Sequence, residues 1–199
     1  MTQISHKQIE TKILKSSRGN IFFAKDFDDY GTPGNIRQVL SRLEQEGVLR
    51  RIAHGIYLKP KIDAVIGEVI PSLEEIAKEI AKRDRVQIIP TGVTALLKLG
   101  LTTQVPLKAV YLTDGSPRQI KIGKRTIKFK RTVPKTFAIK NDQLQLIVQA
   151  LKEKGQKNIE EDFLIKLKPS IEKLDAKVIE KELKFAPVWI QKVIKNSSK

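Results

Sequence analysis

Five side chains between Thr32 and Gly47 carry the chemistry needed to read a nucleic acid, and they share one helical face. In TPGNIRQVLSRLEQEG, Ile36, Val39, Leu40 and Leu43 recur at i, i+3, i+4 and i+7, which predicts an inward stripe. Asn35, Arg37, Gln38, Ser41 and Arg42 then fall on the opposite side, with no acid before Glu44. An arginine fork fits the edge of guanine and a carboxamide fits the edge of adenine. Any of these groups can also bond a phosphate oxygen. Thr32 sits at the mouth of the same face, as an expected helix N-cap ahead of Pro33. Directly after it, VLRRIAHGIYLKP places Arg50, Arg51 and His54 on or beside a short hairpin, where they would flank that face.

A second basic block lies further along. Arg118, Lys121, Lys124, Arg125, Lys128, Lys130 and Arg131 occupy RQIKIGKRTIKFKR without one acid between them. The chain has 38 basic and 22 acidic residues, a formal net charge of +16, which attracts polyanions. Residues 61–140 hold 16 basic and 7 acidic residues, so more than half of the excess lies outside the first sixty. The block therefore reads as a second surface facing a polyanion or an acidic partner. The other reading is an edge hairpin charged against strand-to-strand pairing.

Other chemistries find little support. Without cysteine there is no disulfide, thiolate metal site or cysteine nucleophile, and His6 and His54 are too isolated for a histidine-rich metal site. No phosphate-binding glycine loop, HExxH or GxSxG occurs. Gly115-Ser116 lacks the spaced acidic pair that would hold metal ions for nucleotidyl transfer, and Asp114 is expected to cap a turn. Neither enzymatic activity nor a cofactor is expected. MTQISHKQIE lacks the apolar run of a signal peptide, and no stretch approaches about 18 apolar residues, so a cytoplasmic protein without a membrane partner is expected.

These residues need elements to hold them. Ser5 and Gln8 form a capping-box pattern, with Ile4 placed to staple onto Ile9, and Ile9, Ile13 and Leu14 line a first helix that stops at Arg18-Gly19-Asn20. Ile21-Phe22-Phe23 is β-like, and AKDFDDY allows about two helical turns before Gly31. The helix from Thr32 to Gly47 leads into strands Val48–Ile52 and Ile56–Lys59, joined through Ala53-His54-Gly55. The linker KIDAVIGEVIP, through Ile62, Val65, Ile66, Val69 and Ile70, is expected to pack on something. A helix with a capping box at Ser72 and Glu75, a strand VQIIP and a compact helix ending at Gly100 come next. AVYLT reads as a strand, DGSP as a turn and the basic block as a hairpin about Gly123-Lys124. In the tail, Leu144, Ile147, Val148 and Leu151 form one stripe; Phe163, Leu164 and Leu167 form another. Pro169 is expected to open a further helix with Ile171, Leu174 and Val178 inward, and Pro187 to begin the last one. Glu160, Glu161, Asp162, Glu172 and Glu180 alternate with lysines as on a solvated face.

The expected fold class is α+β. Residues 1–60 would form a winged helix-turn-helix. Residues 61–199 would form a mixed α/β domain with a basic β-hairpin and a helical C-terminal tail. The order of these segments resembles AbiEi-type antitoxins of bacterial abortive-infection (type IV) toxin–antitoxin systems. The likeness rests on IRQVLSRLEQEGVLRRI running into HGIYLKP, then PTGVTALLKLGLTTQVP and AVYLTDGSPRQIKIGKRTIKFKR before a helical tail. It spans most of the chain. The resemblance implies that the winged helix binds operator repeats in double-stranded DNA and represses its own operon. It also implies that the second domain counters a nucleotidyltransferase-type toxin, which in the type IV description needs no stable complex. Carried onto this sequence, the DNA-reading helix falls on Asn35 to Arg42 and the wing on Arg50 to Gly55. The basic hairpin would then touch flanking DNA, the toxin or the toxin's RNA substrate. Two alternatives stay open: a winged-helix regulator without a toxin partner, and an RNA-binding adaptor. The oligomeric state is open as well, a monomer binding repeats cooperatively among the options.

Overall fold

A computed structural model describes residues 2–197, and the side chains of residues 6–197. The protein is a mixed α+β structure with helices at its N-terminus and a helical C-terminal tail. By its contacts it divides into two compact units, Met1–Glu79 with Lys121–Lys124, and Ile80–Ile120 with Arg125–Lys199.

In the first unit, helix α1 (Thr2–Lys15) leads to strand β1 (Ile21–Phe23), a 3-10 helix (Ala24–Tyr30), helix α2 (Pro33–Gln45) and strands β2 (Arg50–Ala53) and β3 (Ile56–Leu58). The three strands pair antiparallel in the order β1-β3-β2, with Phe22 opposite Tyr57 and Arg51 opposite the same tyrosine. Ile9, Ile13, Phe22, Phe27, Ile36, Val39, Leu40, Leu43, Leu49 and Tyr57 form one buried cluster. The stripe expected on α2 is therefore the contact face of that helix.

Several details depart from expectation. α1 begins at Thr2 rather than at Ser5, and the Ile4 and Ser5 side chains of the expected capping box and staple lie outside the described residues. Leu14 is not inward but 53% exposed, because the core side of the last turn is taken by Ile13. AKDFDDY makes the expected helical turns, wound as a 3-10 helix. Asp26 turns back to accept the Phe23 N–H at 2.7 Å, and such local carboxylate bonds compete with regular helix hydrogen bonding.

The segment expected as a packed linker folds instead into a small antiparallel hairpin, β4 (Ile62–Asp63) and β5 (Gly67–Glu68). Asp63 Oδ1 accepts the N–H groups of Val65 and Ile66 at 2.9 and 3.2 Å, and Gly67 takes φ 74° to complete the turn. Those backbone bonds hold the Asp63 carboxyl below its ordinary range. Ile62, Val65, Ile66 and Ile70 are exposed, so the expectation that they pack is not met: a two-residue-per-strand hairpin has no interior to bury them in. Arg50 on β2 forms an ion pair with Glu68 on β5, and Val69 N–H bonds Lys61 C=O at 2.8 Å.

Helix α3 (Leu73–Asp84) starts with the expected capping box. Ser72 Oγ accepts the Glu75 N–H at 3.1 Å, and Glu75 accepts the Ser72 N–H at 2.7 Å. Accepting that N–H holds the Glu75 carboxyl below the usual range.

The second unit is built on a four-stranded sheet, β6 (Ile88–Thr91), β7 (Lys108–Thr113), β9 (Arg125–Arg131) and β8 (Arg118–Ile122), in that spatial order. β6 runs antiparallel to β7, and β7 runs parallel to β9. The short helix α4 (Val93–Lys98) follows β6. The tail contains α5 (Asp142–Lys154), α6 (Glu161–Glu172), α7 (Ala176–Glu182) and α8 (Val188–Ser197). Their apolar stripes join in one cluster that includes Leu144, Ile147, Leu151, Leu167, Ile171 and Ile190.

Pro169 does not open a helix; it lies inside α6. It forfeits one bond to the Ile165 carbonyl, and both residues are exposed, so water can satisfy that group. The next helix starts at Ala176 under an Asp175 cap, whose Oδ1 accepts the Lys177 N–H at 2.7 Å. The acids Glu160, Glu161, Asp162, Glu172 and Glu180 are exposed as expected. No helix of the described residues is long and apolar enough to cross a membrane.

Candidate functional site

The candidate face on α2 owes its orientation to the core beneath it. Ile36, Val39, Leu40 and Leu43 are each no more than 1% exposed, so the helix cannot rotate without losing that burial. Burying such side chains contributes on the order of 1.5–3 kcal/mol each. Thr32 Oγ1 accepts the Asn35 N–H at 3.4 Å and Pro33 stands at the first position, as expected. Gly47, with φ 73°, turns the chain out of the helix.

Arg37, Gln38, Ser41 and Arg42 are consequently exposed, with Asn35 half-buried beside them. Their engagements differ. Arg37 Nε donates to the Pro33 carbonyl at 3.1 Å, which steadies the stem and leaves the rest of the guanidinium outward. Arg42 is placed differently from expectation. Its guanidinium meets Glu10 of α1 at 3.3 Å and Glu46 at 3.4 Å, so two carboxylates compete for the cation expected to contact a polyanion. Glu46 is visible in the sequence at i+4, whereas Glu10 is 32 residues away and only the packing of α1 on α2 brings it close. Gln38, Ser41 and Arg42 also line a shallow cavity of about 380 Å³ with His6, Val39 and Gln45. Nothing in the sequence spacing assigns His6 a part there.

The β2–β3 hairpin supplies the remaining expected residues of the first unit. Gly55 takes φ 68° at its tip. Arg51 and His54 are exposed and lie together, an Arg51 guanidinium nitrogen 3.0 Å from His54 Nδ1. Arg50 is tied by Glu68 of β5 and offers less free charge than its position suggests. Lys59, which the sequence does not single out, has a structural task. Its Nζ donates to the carbonyls of Ile13, Leu14 and Ser16 at 3.0, 2.8 and 2.7 Å, closing the C-terminus of α1 with a cation.

Of the seven cations in the second block, Arg118 is spoken for. It forms an ion pair with Asp84 and lies over the Phe129 ring at 5.4 Å, so it belongs to the packing of the sheet. Burial pushes the Asp84 carboxyl up, but its hydrogen bonds with Arg83 and Arg118 outweigh that and hold it below the usual range. Lys121, Lys124, Lys130 and Arg131 are exposed, and Arg125 and Lys128 half-buried. Lys121 and Lys124 fall in the first unit; Arg118, Arg125, Lys128, Lys130 and Arg131 fall in the second.

Asp114 does not cap its own turn: its Oδ1 accepts the N–H of Gln87 at 2.9 Å. Gly115 is explained by space. A Cβ there would lie 2.6 Å from Val86 Cγ1, which no real side chain tolerates. Gly115→Ala is therefore expected to cost about 1–3 kcal/mol of overpacking, and Val86→Ala in the same chain should return most of it. A denaturant double-mutant cycle checks this; additive losses would show that the two side chains do not compete. Among the described residues no group of three His, Asp or Glu side chains is arranged to hold a metal ion.

Residues 8–179 match the model of DUF6088, a family of unknown function. No curated protein matches the chain.

Proposed function

We propose that this chain, which belongs to the DUF6088 family, is a DNA-binding protein whose first unit works as a winged helix-turn-helix on double-stranded DNA. The observation that carries the reading is α2. Arg37, Gln38 and Ser41 stand exposed on a helix whose opposite face is fully buried, next to a hairpin with Arg51 and His54 exposed. A helix fixed in this way can enter a major groove with its side chains already aimed, so little ordering entropy is lost on binding. In this reading α2 is the recognition helix and β2–β3 the wing. Arg37 and Gln38 contact base edges, Asn35 and Ser41 contact bases or phosphates, and Arg51 and His54 contact the flanking backbone. Thr32 orients the first turn. Arg42 and Arg50 reach phosphates only by exchanging their carboxylate partners.

The resemblance to AbiEi-type antitoxins supplies the physiological setting for the proposal. The chain would repress its own toxin–antitoxin operon in the cytoplasm and counter a nucleotidyltransferase-type toxin, doing no chemistry itself. Selection from a pool of random duplexes, followed by sequencing, tests the reading. Enrichment of one motif, seen with the wild type and lost with Arg37→Ala, is expected. A pool that stays random after several rounds would contradict sequence reading by α2.

A further inference from the structure

We propose that the second unit binds a small monocarboxylate anion in a cavity beside Arg118, with Thr113 and Ser116 as further donors to its carboxylate. The cavity measures about 240 Å³ and lies between the end of α3, Val86, the turn after β7 and the first residue of β8, with Phe129 of β9 as a wall. Its lining residues all belong to the second unit, so the site stands apart from the reading of α2. Arg118 lies over the Phe129 ring, on the side of the sheet away from Lys128 and Lys130, whose places alternate with that of Phe129 along β9.

The cavity offers donors without free acceptors. Arg83 Nε donates to Asp84 Oδ1 at 2.8 Å, and the ion pair with Arg118 uses Asp84 Oδ2 and one terminal nitrogen of that guanidinium. Arg118 Nε is left buried with no hydrogen-bond partner among the described residues, a costly state for a charged donor. Thr113, 2% exposed, accepts the Gly115 N–H at 3.0 Å on its hydroxyl oxygen and keeps its own proton to donate. Ser116 stands exposed at the edge, its hydroxyl without a partner among the described residues. Two guanidinium groups share one carboxylate here, which favours an anion, and a carboxylate brings the acceptors that these donors lack. Val86 and Phe129 supply apolar walls for a short tail. Drug-sized ligands usually occupy about 300–1,000 Å³, so the smaller volume limits that tail to a few carbons.

A second observation comes from the backbone. Among the described residues Arg85 is the one residue other than glycine with a positive φ, at 55°. It follows Asp84 and precedes Val86, both of which line the cavity. Its N–H bonds the Lys82 carbonyl at 3.2 Å and the Val86 N–H bonds the Ala81 carbonyl at 3.0 Å, the paired bonds of a helix end that ordinarily closes on glycine. An arginine there costs stability, and strain of that kind gathers at ligand sites. Arg85 is exposed and makes no hydrogen bond or ion pair among the described residues, so its cation is available to an anion entering the cavity.

The test follows the Arg118 Nε–H signal of the full isotope-labelled chain by NMR, assigned through its own side-chain couplings, during titration with sodium butyrate. A saturating shift with a Kd of about 1 mM is expected. Acetate, shorter by two methylenes, should bind roughly tenfold more weakly. Uncharged butyramide should bind more weakly still. S116A should weaken butyrate about threefold with the fold unchanged. R85G should weaken it about threefold as well, yet raise Tm by about 2 °C, because glycine relieves the backbone that arginine strains. A residue kept only for structure would not move the two in opposite directions. Absence of a saturating shift would overturn the proposal. So would butyramide binding as tightly as butyrate, or sodium chloride producing the same shift at the same concentration.

Discussion

A chain with Arg37, Gln38 and Ser41 all replaced by Ala is expected to stay folded and to lose its preference for any one duplex. The three residues are exposed, and alanine is the best helix former, so stability should move by no more than about 0.5 kcal/mol. A good bidentate base contact is worth about 1–3 kcal/mol of discrimination, so removing Arg37 and Gln38 together should erase about 10²-fold of preference or more. Affinity for unrelated duplexes should change far less, because it rests on phosphate contacts elsewhere. Arg42→Ala is the informative control. Its ion pairs with Glu10 and Glu46 are exposed and worth at most about 1 kcal/mol, and its loss should weaken all duplexes alike. Titration of a selected and a scrambled duplex, with circular dichroism for the fold, separates the two outcomes. Retained preference in the triple variant would remove α2 from the account.

Lys59→Met should produce the largest loss of stability among the charged positions of the first unit, about 2–3 kcal/mol. Three charge-assisted bonds to Ile13, Leu14 and Ser16 disappear at once, and hydrogen bonds to a charged group contribute about 1.5–3 kcal/mol net. Methionine keeps the apolar stem, so the change isolates the ammonium. Water can reach part of the exposed end of α1, which is why three bonds do not count three times. Urea denaturation measures the difference. A loss below about 0.5 kcal/mol would mean that solvent already satisfies those carbonyls. Lys59 also bears on function, because α1 packs under α2 through Ile9 and Ile13 and so steadies the candidate face.

Much of this is legible in the residues. The stripe Ile36, Val39, Leu40 and Leu43, the Thr32 cap and the Ser72–Glu75 capping box are local patterns, and local geometry realises them. The turn at Gly123, with φ 57°, and the alternation of Ile127 and Phe129 belong to the same kind. What escapes is long-range. Nothing in the spacing of KAVYLT and RTIKFKR says that they pair parallel with β8 outside them, because a parallel partner is set by the whole sheet. The ion pairs of Arg42 with Glu10, Arg50 with Glu68 and Arg118 with Asp84 join residues 18 to 34 positions apart. Charge counting along the chain therefore overstates how many cations are free. Pro169 misleads for another reason: proline disfavours a helix interior through its missing N–H and its ring, yet it is accommodated inside α6 on an exposed turn, where water can satisfy the freed carbonyl. The apolar residues at 62–70 suggest packing by their type, while a turn built on Asp63 and Gly67 holds them outward.

The central claim is that the first unit reads double-stranded DNA. The most direct measurement is fluorescence anisotropy of the full chain with three probes at two salt concentrations: DNA from upstream of its own gene, a scrambled duplex and a structured RNA. The account predicts a preference for its own duplex of about 10³-fold or more that persists at the higher salt. Equal binding to all three probes, collapsing together as salt rises, would contradict it and reduce the charge of +16 to a general attraction for polyanions.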